Sequence, residues 1–221
     1  LVERTVQMAE ETKEVGSRQL RGVLDSSPLW GAGRVEDTYN LLGHALRKAL
    51  GVLARQQGRE LTELAAEAGA DLLTGPSLKA ALDADWDDPV QRQEALQQVL
   101  GALEAVEGFL GQQAEVPAAA QESVETAQQV RAQDVEVLPE NVIRLRKGVA
   151  KERRISVEDA EMRHGRKSRS QRIDGYKRHV LRDLDSGLVR AVGITSANVP
   201  EAQVTDDIVA DLAHQPVELT E

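Results

Sequence analysis

Cysteine is absent from this 221-residue sequence, and aromatic residues make up only 2% of it. The first absence removes disulfides, thiol nucleophiles and cysteine-ligated zinc. The second leaves a core to be built from Leu, Val, Ile and Ala, with little ring surface on which nucleic-acid bases could stack. The four histidines are scattered and do not fall at metal-ligand spacing. No run of about 18 apolar residues occurs, so no membrane span is expected. What is present, 41% hydrophobic and 29% charged residues, describes a soluble chain of one to two domains. A cytoplasmic location is the expectation that goes with it.

The formal net charge of -10 hides an asymmetry. Residues 83–140 hold thirteen acids against two bases, Arg92 and Arg131, whereas residues 144–182 hold fourteen Lys and Arg against five acids. A basic segment in an acidic chain can meet a polyanion, because phosphates attract Lys and Arg whatever the base sequence. A solvated face, or a partner for the chain's own acidic stretch, explains the same pattern equally well.

Residues 19–25 form a short apolar run ending in Asp25, followed by Ser26, Ser27, Pro28 and the Gly31-Ala32-Gly33 turn material; this predicts a strand with Asp25 at or near its end. Leu41, Leu42, Ala45, Leu46, Ala49, Leu50 and Leu53 then recur at helical spacing, with Asp37 or Thr38 as N-cap, predicting a helix over 37–56. Further helices are expected over 60–73, ending at Gly75-Pro76, and over 77–82. Asp88-Pro89 pairs an N-cap with a first-turn proline and starts another helix to about 111. A last one in this block follows Pro117 to about Ala132. After Pro139, residues 153–157 read as a short strand and 165–171 as a basic loop. Residues 176–183 and 188–195 flank Asp185-Ser186-Gly187 as a hairpin. Val204, Ile208, Val209 and Leu212 return to helical spacing, and residues 217–221 read as the start of a strand.

Two blocks are distinctive together. One is Leu24-Asp25-Ser26-Ser27-Pro28-Leu29-Trp30-Gly31-Ala32-Gly33 with Glu36-Asp37-Thr38; the other is Met162-Arg163-His164-Gly165-Arg166-Lys167-Ser168 with Asp174-Gly175-Tyr176-Lys177 and Asp185-Ser186-Gly187-Leu188-Val189. They resemble bacterial insertion-sequence transposases with a DDE catalytic domain of RNase H-like fold, and Val192-Gly193-Ile194-Thr195 with Asn198-Val199-Pro200-Glu201-Ala202 extends the likeness. The matching motifs cover about 80 residues. The resemblance implies an α/β fold: a partial RNase H-like domain of strand, β-hairpin and helix, interrupted by a large helical insertion. Residues 1–36 would hold the first catalytic strand, 37–140 the insertion, and 141–221 the basic loop, hairpin and helix.

In that comparison Asp25 matches the first acid of the catalytic triad and is the expected ligand for Mg2+, since such enzymes cut and join phosphodiesters with divalent metals. By itself, an Asp before Ser-Ser-Pro is more often a turn or capping residue. DNA at the insertion-sequence ends is the implied partner, with self-association of the intact transposase. Arg163, His164, Arg166, Lys167, Arg169, Arg172, Lys177 and Arg178 are the candidate DNA contacts. For His164 simple solvent exposure is the competing reading, and for His44 and Trp30 the default is burial on a helix face and a core or insertion contact. Asp206 and Asp207 read as first-turn carboxylates that offset a helix dipole. The sequence departs from the family at Asp159-Ala160, where Asp-Pro is usual, and no second or third triad acid can be assigned. It therefore reads as an interior fragment, inactive alone. A non-catalytic nucleic-acid-binding remnant and a helical protein-interaction scaffold are the rival readings.

Overall fold

The computed structural model describes residues 2–11, 19–75, 77–139, 142–215 and 217–220. In chain order these form α1 (Val2–Glu11), β1 (Gln19–Leu20), β2 (Gly22–Trp30), α2 (Thr38–Gln57), α3 (Leu61–Glu67), α4 (Leu78–Leu82), α5 (Pro89–Gly111) and α6 (Ala118–Asp134). There follow β3 (Val135–Val137), β4 (Ile143–Leu145), β5 (Arg163–Arg166), β6 (Arg172–Asp183), β7 (Val189–Ser196), α7 (Val204–Leu212) and β8 (Glu218–Leu219). Two units result, one of residues 1–32 with 161–221 and one of residues 33–160.

The second unit is helical because its apolar residues recur every three to four positions. Asp37 accepts a hydrogen bond from the Asn40 amide at 3.1 Å and starts α2, and Gly58, at φ 63°, ends it with its amide on the carbonyls of the last turn. Leu41, Leu42, Leu46, Leu50 and Leu53 are fully buried, as are Leu96 and Val99 of α5 and Val130 of α6. Each such leucine contributes about 1.5–3 kcal/mol relative to an exposed one. Asp88 caps α5 through the Val90 amide with Pro89 in the first turn, as the sequence predicts. The helix expected over 60–73 is shorter. It stops at Glu67, because Gly69 takes a left-handed φ of 68°, and a 3-10 turn, Asp71–Thr74, follows. Pro76, read as its stop signal, lies outside the described residues, as does the domain boundary expected at 140/141.

Residues 153–157 are not the strand their composition predicts. The Arg153 guanidinium holds the Asp134 carboxylate at 2.7–3.1 Å, while Arg154 donates to the carbonyls of Ser156 and Val157 at 2.8 Å. Carbonyls that a partner strand would engage are thus taken by a side chain, and the segment runs irregular with Ile155 and Val157 buried. Conversely, β3 and β4 form an antiparallel pair that the sequence reading missed. Val135-Glu136-Val137 and Ile143-Arg144-Leu145 each alternate apolar and charged residues, but three residues are too short a run to stand out as a strand signal.

In the first unit β2 pairs antiparallel with β6 from Gly22 opposite Asp183 to Trp30 opposite Gly175. The other side of β6 takes β5 and then β7. The hairpin expected at Asp185-Ser186-Gly187 is present, with Gly187 at φ 73°. β1 pairs parallel with β8, and α7 packs Val204, Ile208 and Leu212 against Leu20, Leu181 and Ala191. Strand β2 does not end near Asp25 but continues through Ser26, Ser27 and Pro28 to Trp30. From Gly22 onward it has no second strand beside it among the described residues, and an edge position of that kind tolerates a proline.

Candidate nucleic-acid interface

Alternation along β6 sorts the candidate residues into two faces. Ile173, Gly175, Lys177, His179, Leu181 and Asp183 are buried, whereas Arg172, Arg178 and Arg182 are exposed. Asp25 lies opposite Val180, which lies opposite Val192 on β7, so all three share the outer face, and Asp25 is exposed there. Its strand neighbours each anchor a base. Ser27 Oγ accepts from Arg178 at 3.1 Å, and the Ser26 carbonyl accepts from the Lys167 ammonium at 2.9 Å.

The second of these bonds shapes the site. Arg166 is opposite Arg172 at the far end of β6, while Ser26 is opposite His179. Those two rungs lie roughly 23 Å apart at about 3.3 Å per residue, a span no lysine side chain bridges. The β5–β6 hairpin therefore curls back, and Gly175, at φ 142°, lies between the two rungs. A Cβ on Gly175 would stand 2.2 Å from the Gly31 amide nitrogen, so the two sequence blocks meet here backbone to backbone. Gly165 is equally confined, with Ala197 O 2.0 Å from where its Cβ would be. The basic loop expected over 165–171 is accordingly a hairpin tip of residues 167–171, closed by the Lys167 amide on the Gln171 carbonyl at 3.0 Å.

The expected DNA contacts separate into distinct roles. Arg163 is half-buried and donates to the Met162 carbonyl at 2.9 Å. His164 Nδ1 sits 2.6 Å from Asp174. Lys177, expected among the DNA contacts, is 7% exposed with its ammonium on the Val199 carbonyl at 2.9 Å, so it is turned away from any backbone phosphate. Its odd position, shared with Ile173 and Leu181, is the signal that marks it as inward. Arg166, Arg169 and Arg172 are exposed and have no partner among the described residues. Trp30 is 67% exposed rather than packed in a core, and His44 is only partly buried, its Nδ1 2.9 Å from Glu36 and its Nε2 3.3 Å from Glu158.

Beneath Asp25, on the buried face, Ser26 Oγ, His179 and Thr195 Oγ1 form a chain across three strands, 2.7 Å to Nδ1 and 2.9 Å from Nε2. Burial lowers the His179 pKa, and nearby Lys177 adds to this against the opposing charge of Glu201. A neutral ring, donating on one nitrogen and accepting on the other, suits two hydroxyls. Asp183, at the hairpin end, is pushed up by burial, but hydrogen bonds from Ser186, the Asp185 amide and Arg190 outweigh that and hold its carboxyl below the usual range. It is bound to its own turn. Asp206 and Asp207 lie in the first turn of α7, as expected of carboxylates that offset a dipole.

Residues 130–220 match the family model of the transposase DDE domain. The likeness to insertion-sequence DDE transposases read from the sequence thus holds for that segment. No curated protein and no solved structure is matched. The matched segment contains the hairpin tip, β6, β7 and α7, and it leaves Asp25 outside. No helix among the described residues is long and apolar enough to cross a membrane. The described residues contain no group of three or more His, Asp or Glu side chains placed to hold a metal ion. A single Mg2+ is held by one or two carboxylates with waters and substrate phosphates, but a two-metal phosphodiester site draws carboxylates from several places, so Asp25 alone does not fit the pair of ions that the family implies.

Proposed function

We propose that this chain acts in DNA transposition as part of a DDE-type transposase, with Asp25 as the first acid of the catalytic set and the hairpin tip as its contact to the DNA backbone. The observation that carries the reading is the trio Arg166, Arg169 and Arg172, without partners among the described residues, on and flanking a tip that Lys167 fastens beside the strand of Asp25. Unpaired guanidiniums match phosphate oxygens two at a time, and contacts of this kind position a duplex without reading its sequence. Strand order supports an RNase H-like arrangement: β2, β6 and β7 run antiparallel in sequence, and β1 adds a parallel neighbour in β8. No chemical step through metal follows from Asp25 alone; the role of this chain's own residues is to bind and orient the backbone. Duplex DNA titrated at two ionic strengths tests the reading. Binding should weaken steeply with salt, since each neutralised phosphate releases counterions. Salt-insensitive binding, or none at low salt, refutes it.

A further inference from the structure

The sequence block Gly33 to Thr38 is not absorbed by the hairpin-tip interface, and in the helical unit it opens onto a cavity of about 390 Å³. Arg34, Glu36, His44, Arg47 and Lys79 are among its lining residues, beside the apolar side chains of Leu72 and Leu78. The volume falls within the usual range for small-molecule sites. Arg34 is exposed with no partner among the described residues. Arg47 is fixed at the rim by one hydrogen bond to the Gly75 carbonyl, at 2.5 Å, which leaves most of its five donors available. The Lys79 ammonium pairs with Asp37 and lies 5.0 Å from the Trp86 ring centre. Against these cations stands one buried acid. The Glu36 side chain is 7% exposed, and one of its oxygens meets His44 Nδ1 at 2.9 Å, while the other has no partner among the described residues.

The second Glu36 oxygen is not sealed from solvent and can accept a donor, and the guanidiniums beside it can hold an anion. A bare phosphate would satisfy the guanidiniums and be repelled by the carboxylate. We infer that this cavity binds a nucleotide, its phosphate on Arg34 and Arg47 and the amino-bearing edge of its base on Glu36. Carboxylates accept from the cytosine amino group in this way. Cytosine, guanine and adenine present such an amino group; thymine presents none. The ligand is either a free mononucleotide or one nucleotide of a DNA strand, and the site belongs to the helical unit, whereas the hairpin tip belongs to the other.

Calorimetric titration of the whole chain with dCMP, dGMP, dTMP and inorganic phosphate tests the inference. The expected result is saturable binding of dCMP and dGMP at least fivefold tighter than dTMP, and no comparable binding of phosphate. Arg34→Ala, at an exposed position that leaves the fold intact, should weaken dCMP by tenfold or more. Glu36→Gln should bring dCMP and dTMP to similar affinity, with circular dichroism confirming that the variant is folded. With Arg166, Arg169 and Arg172 replaced by Ala to silence the hairpin tip, a single-stranded oligonucleotide that binds tighter than dCMP and loses that advantage in Arg34→Ala identifies a strand as the source; equal affinity identifies the free nucleotide. Phosphate binding as tightly as dCMP, indifference to Arg34→Ala, or no binding by any nucleotide overturns the inference.

Discussion

The Lys167 ammonium donates to the main-chain oxygen of Ser26 at 2.9 Å across 141 residues of sequence. It is a charge-assisted bond between a hairpin tip and the strand that carries Asp25, and bonds of that type contribute about 1.5–3 kcal/mol. Lys167→Met keeps the length of the side chain and removes the donor. The expected outcome is faster amide exchange over residues 167–171, with little change in the helical unit. Unchanged exchange at the tip would show that the tip holds its place without Lys167.

With Lys167 engaged in this way, phosphate binding falls to Arg166, Arg169 and Arg172. Replacing all three by Ala should reduce the slope of log affinity against log salt by about 2 to 3, at roughly 0.9 for each phosphate no longer neutralised. Lys177→Met is the informative counterpart. Because that ammonium is buried on the Val199 carbonyl, the change should lower the melting temperature and leave the salt slope in place. Equal slopes for the native and triple variants would remove the tip from the interface.

Much of this was legible in the sequence where a local signal existed. Asp37 and Asp88 announced α2 and α5, and Asp185-Ser186-Gly187 announced the hairpin, because caps and turns are written in adjacent residues. The bond from the tip to Ser26 has no such signature, since nothing near Lys167 encodes a partner 141 positions away. The inward turn of Lys177 was readable from strand parity, but a lysine in a basic run draws attention to its charge before its phase. The false strand at 153–157 failed for the opposite reason: Ile155 and Val157 do have strand character, and the side chains of Arg153 and Arg154 override it.

The buried chain Ser26, His179, Thr195 gives the fold a sensitivity to acid. The pKa of His179 is depressed in the folded state by burial, below its ordinary value of 6.5. A group of that kind binds protons more readily when unfolded, so its contribution is fully present above about pH 6.5 and is lost as pH falls through the folded-state value. Urea midpoints should therefore decline on acidification from pH 7 to 5. His179→Gln, which can still offer one donor and one acceptor, should flatten that decline while lowering stability at pH 7. An equal decline in both proteins would assign the effect to other groups.

Asp25 is exposed on the outer sheet face, opposite Val180, with the anchored bases Arg178 and Lys167 engaged on its neighbours Ser27 and Ser26. Asp25→Asn should accordingly leave folding stability within about 0.5 kcal/mol, as for surface changes that break no buried interaction. Its effect should instead appear in DNA binding without added metal. Removing a negative charge beside a phosphate-binding tip relieves repulsion of about 1 kcal/mol or less at a water-exposed site, so affinity should rise by up to about fivefold. Cleavage is a separate matter. With no group of carboxylates gathered around Asp25 among the described residues to hold a pair of ions, this chain should not nick supercoiled DNA in magnesium or manganese. Metal-dependent nicking that disappears in Asp25→Asn would overturn this account and would require further ligands within these 221 residues. Asp185, exposed beside the hairpin turn, is then the first to substitute, because Asp183 is already held by Ser186 and Arg190.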